Sequence, residues 1–251
     1  MPNPNFVPEL TEADWLGTEE WLRSPECWMA PRERTWAMYR SVFAANGGCV
    51  WRRRQLFLIA LFREIEPLIV HPVAVEFLRV VELNADDRAT TEERMSAADA
   101  VEELVDGPTS GTETDRWVLE TVSWVWTKPD DAAESVAALA GELAARGQDG
   151  VEMQRLLRAG TERHESKMAG LLRDIFGNPF RPAAFSPTWR TEHTVGLADK
   201  MYDDRDFAAM PILADALEEA GCDNAAILSH CREPGVHVRG CWVVDLVLNK
   251  Q

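Results

Sequence analysis

The chain has 251 residues, 46% of them hydrophobic and 27% charged, which is ample apolar surface for a core. Its 42 acidic against 26 basic groups leave a formal charge of −16, so phosphate backbones and anionic membranes are repelled unless a local basic patch outweighs the field. Five cysteines, odd in number and unevenly placed, exclude a disulfide scaffold, and no run reaches the roughly 18 apolar residues of a membrane span.

The opening MPNPNFVPELTEADW has no basic region followed by an apolar stretch, so the expectation is a cytoplasmic protein with reduced thiols. Thr11 with Glu12, Ala13 and Asp14 predicts an N-cap and an acidic first turn, leading into a short helix through Trp15, Leu16 and Trp21. Pro31 suits a first helical position, and Trp36, Met38, Tyr39, Val42 and Phe43 follow at helical spacing until Asn46, Gly47 and Gly48. Leu56 to Phe62 is almost wholly apolar and belongs at the centre of the fold. Pro67 and Pro72 punctuate its end, a further helix runs through Val75 to Val81, and Thr91 opens another that reaches Val105.

The segment DGPTSGTETD, residues 106–115, is polar and rich in turn formers. It divides the chain into lobes 1–105 and 116–251, or forms a loop within one body. Trp117, Leu119, Val122, Trp124 and Val125 follow, then Ala-rich helices over 130–146 and 151–170, whose thin side chains suit close helix packing more than a cleft. A helix ends at Phe176, where Gly177 is a left-handed cap, and Pro179, Pro182 and Pro187 make an irregular crossing. Helices are expected over 195–202, with a turn at Asp203 and Asp204, then over 207–220, 223–231 and 237–248. The β-branched run Trp242 to Val247 admits a strand instead. The fold class is all-α, a compact multi-helix bundle with that strand as the one alternative element.

The segments LLRDIFGNPFRP, LADKMYDDRDFAAMPILADALEEAGC and ILSHCREPGVHVRGCWVVDLVLNK resemble the C-terminal half of a large protein family abundant in planctomycete bacteria. LTEADWL and RRRQLFLIALFREI are similar to that family's N-terminal opening, where the corresponding helix tends to carry several cysteines. Here Leu58, Ile59, Ala60 and Leu61 stand at those positions. The resemblance is detailed over about the last eighty residues and loose over the first hundred. It implies a lineage and an all-helical body, carries no mechanism, and puts no metal or redox role on the N-terminal helix of this chain.

Three thiols and two imidazoles fall within twenty residues: Cys222, His230, Cys231, His237 and Cys241. Tetrahedral zinc takes four N or S ligands, and pairs held at helix ends converge in that way, although C-x7-H-C-x5-H-x3-C is not a standard finger spacing. If residues 237–248 are helical, His237 and Cys241 share a face. Buried structural thiols and satisfied imidazoles are the plainer reading of the same residues. A Cys–His nucleophile is the third, with Asp245 the one local acid to orient the base.

Other motifs fall short. His164-Glu165-Ser166-Lys167-Met168 begins like HExxH, but Met168 replaces the second histidine and excludes a metalloprotease. The chain has no P-loop, dinucleotide glycine fingerprint or GxSxG elbow. The adjacent acids Asp86 and Asp87, Glu92 and Glu93, Asp203 and Asp204, and Glu218 and Glu219 read as caps or solvated faces. Arg52, Arg53 and Arg54 read as a solvated helix start, with a phosphate or acidic-partner contact as the alternative. Among ten tryptophans, Trp15, Trp21, Trp36, Trp51, Trp117 and Trp124 sit on apolar stripes and read as core, while Trp28 and Trp126 beside turn residues are expected at the surface, where Trp and Arg are enriched in binding sites. The leading functional expectation is a non-catalytic interaction or regulatory protein with a protein partner, without nucleic acid, membrane or cofactor. A zinc-stabilised module, a Cys/His-dependent enzyme and an acidic nucleic-acid mimic are the alternatives.

Overall fold

A computed structural model describes residues 11–17, 31–44, 50–107 and 111–250. These residues form twelve α-helices and no strand. They are α1 Glu12–Leu16, α2 Pro31–Ala44, α3 Val50–Phe62, α4 Pro72–Ala85, α5 Thr91–Asp106, α6 Glu113–Thr127, α7 Pro129–Ala144 and α8 Gly150–Phe176, then α9 Glu192–Asp204, α10 Met210–Glu219, α11 Ala225–Arg232 and α12 Trp242–Leu248. The all-α expectation holds. Among the described residues no helix is long and apolar enough to cross a membrane.

The chain divides into two compact units, Val50–Met168 and Met1–Cys49 with Ala169–Gln251, the long helix α8 passing from one to the other. The boundary therefore does not fall at 106–115. The helices flanking that segment, α5 and α6, pack on each other inside the first unit.

In the Val50–Met168 unit, Leu56 to Phe62 of α3 are all buried, and α3 packs on α4 and α7. Thr90 and Thr112 start α5 and α6 with reciprocal capping boxes to Glu93 and Asp115, so two otherwise orphan backbone donors are satisfied at each start. The Ala-rich pair packs as closely as its composition predicts: a Cβ placed on Gly160 of α8 would lie 2.8 Å from the Cβ of Ala144 and 2.9 Å from the Cα of Gly141 on α7. Trp51 corrects an expectation. It is 44% exposed rather than core, because it lies in the first turn of α3, ahead of the buried stretch.

The other unit carries the C-terminal segments. Ala198 and Met201 of α9, Leu213 and Leu217 of α10, Ile227 of α11 and Val243, Val244 and Val247 of α12 form its apolar core. The two expected helices over 151–176 are one continuous helix, and α9 runs through Asp203 and Asp204 to a left-handed Arg205. Among the described residues near the C-terminus no strand forms. Trp242–Leu248 is helical despite its β-branched content because Val243, Val244 and Val247 must reach one core cluster, a tertiary demand that outweighs a weak local propensity. That helix starts at Trp242 and not at 237, so His237 lies in the preceding connection and shares no helix face with Cys241.

Candidate metal centre

Four donor atoms converge in this second unit. Asp174 comes from the last turn of α8, His230 from the last turn of α11, His237 from the connection and Cys241 from the N-cap of α12. Their nearest ligand atoms all lie within 4.8 Å of one another. His237 Nδ1 is 2.7 Å and His230 Nε2 3.2 Å from Asp174 Oδ1, while Cys241 Sγ is 3.2 Å from His230 Nε2 and 4.0 Å from His237 Nδ1.

Local structure explains the convergence. An aspartate in a helix's last turn opposes the negative end of the macrodipole and needs a compensating partner. Here the backbone N–H of Val238 donates to Asp174 Oδ2 at 3.0 Å, leaving Oδ1 to the two imidazoles. Gly177 ends α8 in the left-handed region at φ 64°, and its missing side chain admits the Trp242 ring, which a Cβ would approach to 3.2 Å. That ring lies 5.1 Å from His230, and the His237 ring crosses His230 edge-on at 4.9 Å. On the other side of the same turn, Arg173 Nε donates to the Trp15 carbonyl at 2.6 Å and Asn178 Nδ2 to Glu12 at 2.8 Å, fixing the turn against α1.

Asp174 is 2% and Cys241 0% exposed, whereas the His230 and His237 side chains retain 18% and 10%. The carboxyl and thiol thus form the floor and the imidazoles the outer edge. Burial pushes the Asp174 carboxyl up, but the hydrogen bonds and charge of His230 and His237 outweigh it and hold it below the ordinary carboxylate value. Burial, reinforced by Asp174, drives the Cys241 thiol well above its ordinary value.

Three of the five sequence candidates, His230, His237 and Cys241, belong to the cluster, and Cys222 and Cys231 do not. Both of those are buried in the apolar core. Burial, with Cys222 alongside, pushes the Cys231 thiol up to about 12, and burial raises Cys222 as well. Asp174 was missed, and its signal was an acid in a helix's last turn between the buried Leu171, Leu172 and Ile175. Asp245, expected as the orienting acid, is buried in the first turn of α12 and is not among the four donors.

Elsewhere, His164 is buried with Nδ1 3.1 Å from Glu64, whose other oxygen is 3.4 Å from Lys167, so two residues of the HExxH-like run meet one carboxylate. Arg52 pairs with Asp86 at 3.2 Å, Arg54 pairs with Asp130, and the buried Nε of Arg53 has no hydrogen-bond partner. Trp126 is half-buried against Phe77, and Trp28 lies outside the described residues.

The chain matches no family model, no curated protein and no solved structure. The geometry therefore carries the chemistry. A catalytic Cys–His–Asp relay uses one imidazole nitrogen toward the thiol and the other toward the acid. Here His230 turns the same Nε2 to both Cys241 and Asp174, and His237 turns the same Nδ1 to both. A proton relay is broken by that arrangement, and a shared central cation is served by it.

The thiols give a direct check. Iodoacetamide near neutral pH is expected to label Cys231 of the folded protein more than about a hundredfold more slowly than the unfolded chain, since each unit of raised pKa removes tenfold of thiolate, and to label Cys222 and Cys241 more slowly as well. Rapid labelling of Cys231 or Cys241 would restore the nucleophile reading.

Proposed function

We propose that this is a non-catalytic helical protein whose C-terminal unit is organised by a divalent metal, zinc by donor type, held by Asp174, His230, His237 and Cys241. One observation carries the reading: four N, O and S donors from four separate chain positions converge with each imidazole nitrogen facing both acidic donors. Tetrahedral zinc with bonds of about 2.0 to 2.3 Å spaces its ligand atoms roughly 3.3 to 3.6 Å apart. The separations of 2.7, 3.2, 3.2 and 4.0 Å straddle that spacing, and all four donor atoms lie within 4.8 Å of one another.

Charge supports the same occupant. A thiolate and a carboxylate bring two negative charges into a buried site, and a divalent cation neutralises both where burial makes an unbalanced charge costly. Two imidazoles, one thiolate and one carboxylate form a borderline set that suits zinc better than the all-oxygen preference of magnesium or calcium. With four protein donors the coordination is closed, as in structural rather than catalytic sites. The metal would tie the ends of α8, α11 and α12 together through the connection between the last two.

Purification of the full chain without a chelating tag, followed by elemental analysis and cobalt(II) titration, tests this. About one equivalent of metal and a thiolate-to-cobalt absorption band lost in Cys241→Ser are expected. Less than about a tenth of an equivalent at saturating zinc would sink the proposal.

A further inference from the structure

The Val50–Met168 unit carries a surface of a different kind. A groove of about 380 Å3 is walled by Trp51 of α3, Thr91, Arg94, Met95 and Ala98 of α5, and Trp126 of α6. Trp51 is 44% and Met95 61% exposed, so a large indole and a flexible thioether meet solvent side by side. Trp and Arg are the residue types that most often carry binding energy, and methionine adapts its shape to what it covers.

Among the described residues lining this wall, Arg94 is the one that carries charge, a cation on a chain that is strongly acidic as a whole. Its guanidinium donates to Thr91 Oγ1 at 3.1 Å, its Nε is buried without a hydrogen-bond partner, and it has no carboxylate partner among the described residues. A planar guanidinium with donors to spare is matched by a carboxylate, which accepts two parallel N–H bonds.

We propose that this groove docks an acidic segment of a partner protein, with an apolar side chain lying against Trp51, Met95 and Trp126 and a neighbouring carboxylate on Arg94. The net charge of −16 opposes such a segment at long range. Recognition is therefore short-range and specific to the groove, whereas a basic partner would be drawn to the acidic surface at large. The surface is separate from the Asp174 cluster, and its fate does not depend on metal.

Random peptides displayed on phage and selected on the full-length protein provide the test, with Trp51→Ala and Arg94→Glu as comparison proteins and circular dichroism to confirm that both fold. Selected peptides are expected to share an apolar residue beside Asp or Glu, and to bind each variant at least about tenfold more weakly. Arg94→Lys, which keeps the charge but loses the fork, is expected to fall between. No enrichment, a basic consensus, or peptides that bind both variants as well as the parent would overturn the proposal.

Discussion

Alanine at Asp174 is expected to weaken zinc binding more than about a hundredfold, beyond the upper range for losing a supporting hydrogen bond, because it removes a ligand and the partner of both imidazoles. Competition against a chromophoric chelator measures it. The same substitution leaves the Val238 N–H without its acceptor, so the metal-free variant is also destabilised, by roughly 1 to 3 kcal/mol. An unchanged zinc affinity would exclude Asp174 from the site even if the protein bound metal elsewhere.

For the parent protein, zinc at a thousandfold excess over its dissociation constant adds about 4 kcal/mol, or roughly 10 °C in melting temperature for a chain of this size. Lowering the pH works against loading. Zinc takes Cys241 as thiolate, yet burial raises that thiol in the metal-free fold, so binding must expel its proton. Loading thus strengthens as pH rises and weakens as pH falls. Without metal a second dependence appears. The Asp174 carboxyl is depressed in the fold, so its contribution to stability is full above the ordinary carboxylate value of about 3.9 and disappears as pH drops through the lower folded one.

Two glycines of α8 are expected to respond with opposite signs. Gly160→Leu should cost roughly 3 kcal/mol or more, because even its Cβ would lie within 3 Å of Ala144 and of the Gly141 backbone, and two helix axes must separate to admit it. Gly160→Ala already makes those contacts, which outweigh the gain of about 1 kcal/mol that alanine brings to a helix interior, so it too should destabilise. Gly170→Ala has nothing within 4 Å and should stabilise by roughly 0.5 to 1 kcal/mol. Urea denaturation of the three variants measures the differences. Equal effects at 160 and 170 would mean that α7 and α8 do not pack so closely.

The helices were legible where their signals are local. Thr11 capped α1 as expected, Pro31 began α2, and the Ala-rich composition of α7 and α8 matched their close approach. Expectations failed where a distant partner decided. Asp203 and Asp204 looked like a turn but continue α9, whose buried Met201 and Tyr202 hold the last turns against the core. The β-branched run at Trp242 became a helix for the same reason. In the candidate site, the concentration of thiols and imidazoles was visible, but not which members face one another. Cys222 and Cys231 turn into the apolar core, and the fourth donor, Asp174, stands on another helix.

By itself the amino-acid sequence determined an all-helical, acidic protein with its metal-binding residue types concentrated near the C-terminus, since periodicity, capping and composition act over a few residues. Tertiary structure alone decided that α5 and α6 lie within one unit, that Trp51 and Arg94 share a groove, and that Asp174 joins His230, His237 and Cys241. Each of those depends on segments remote in the chain meeting in space, driven by the burial of apolar faces that no single segment can bury alone.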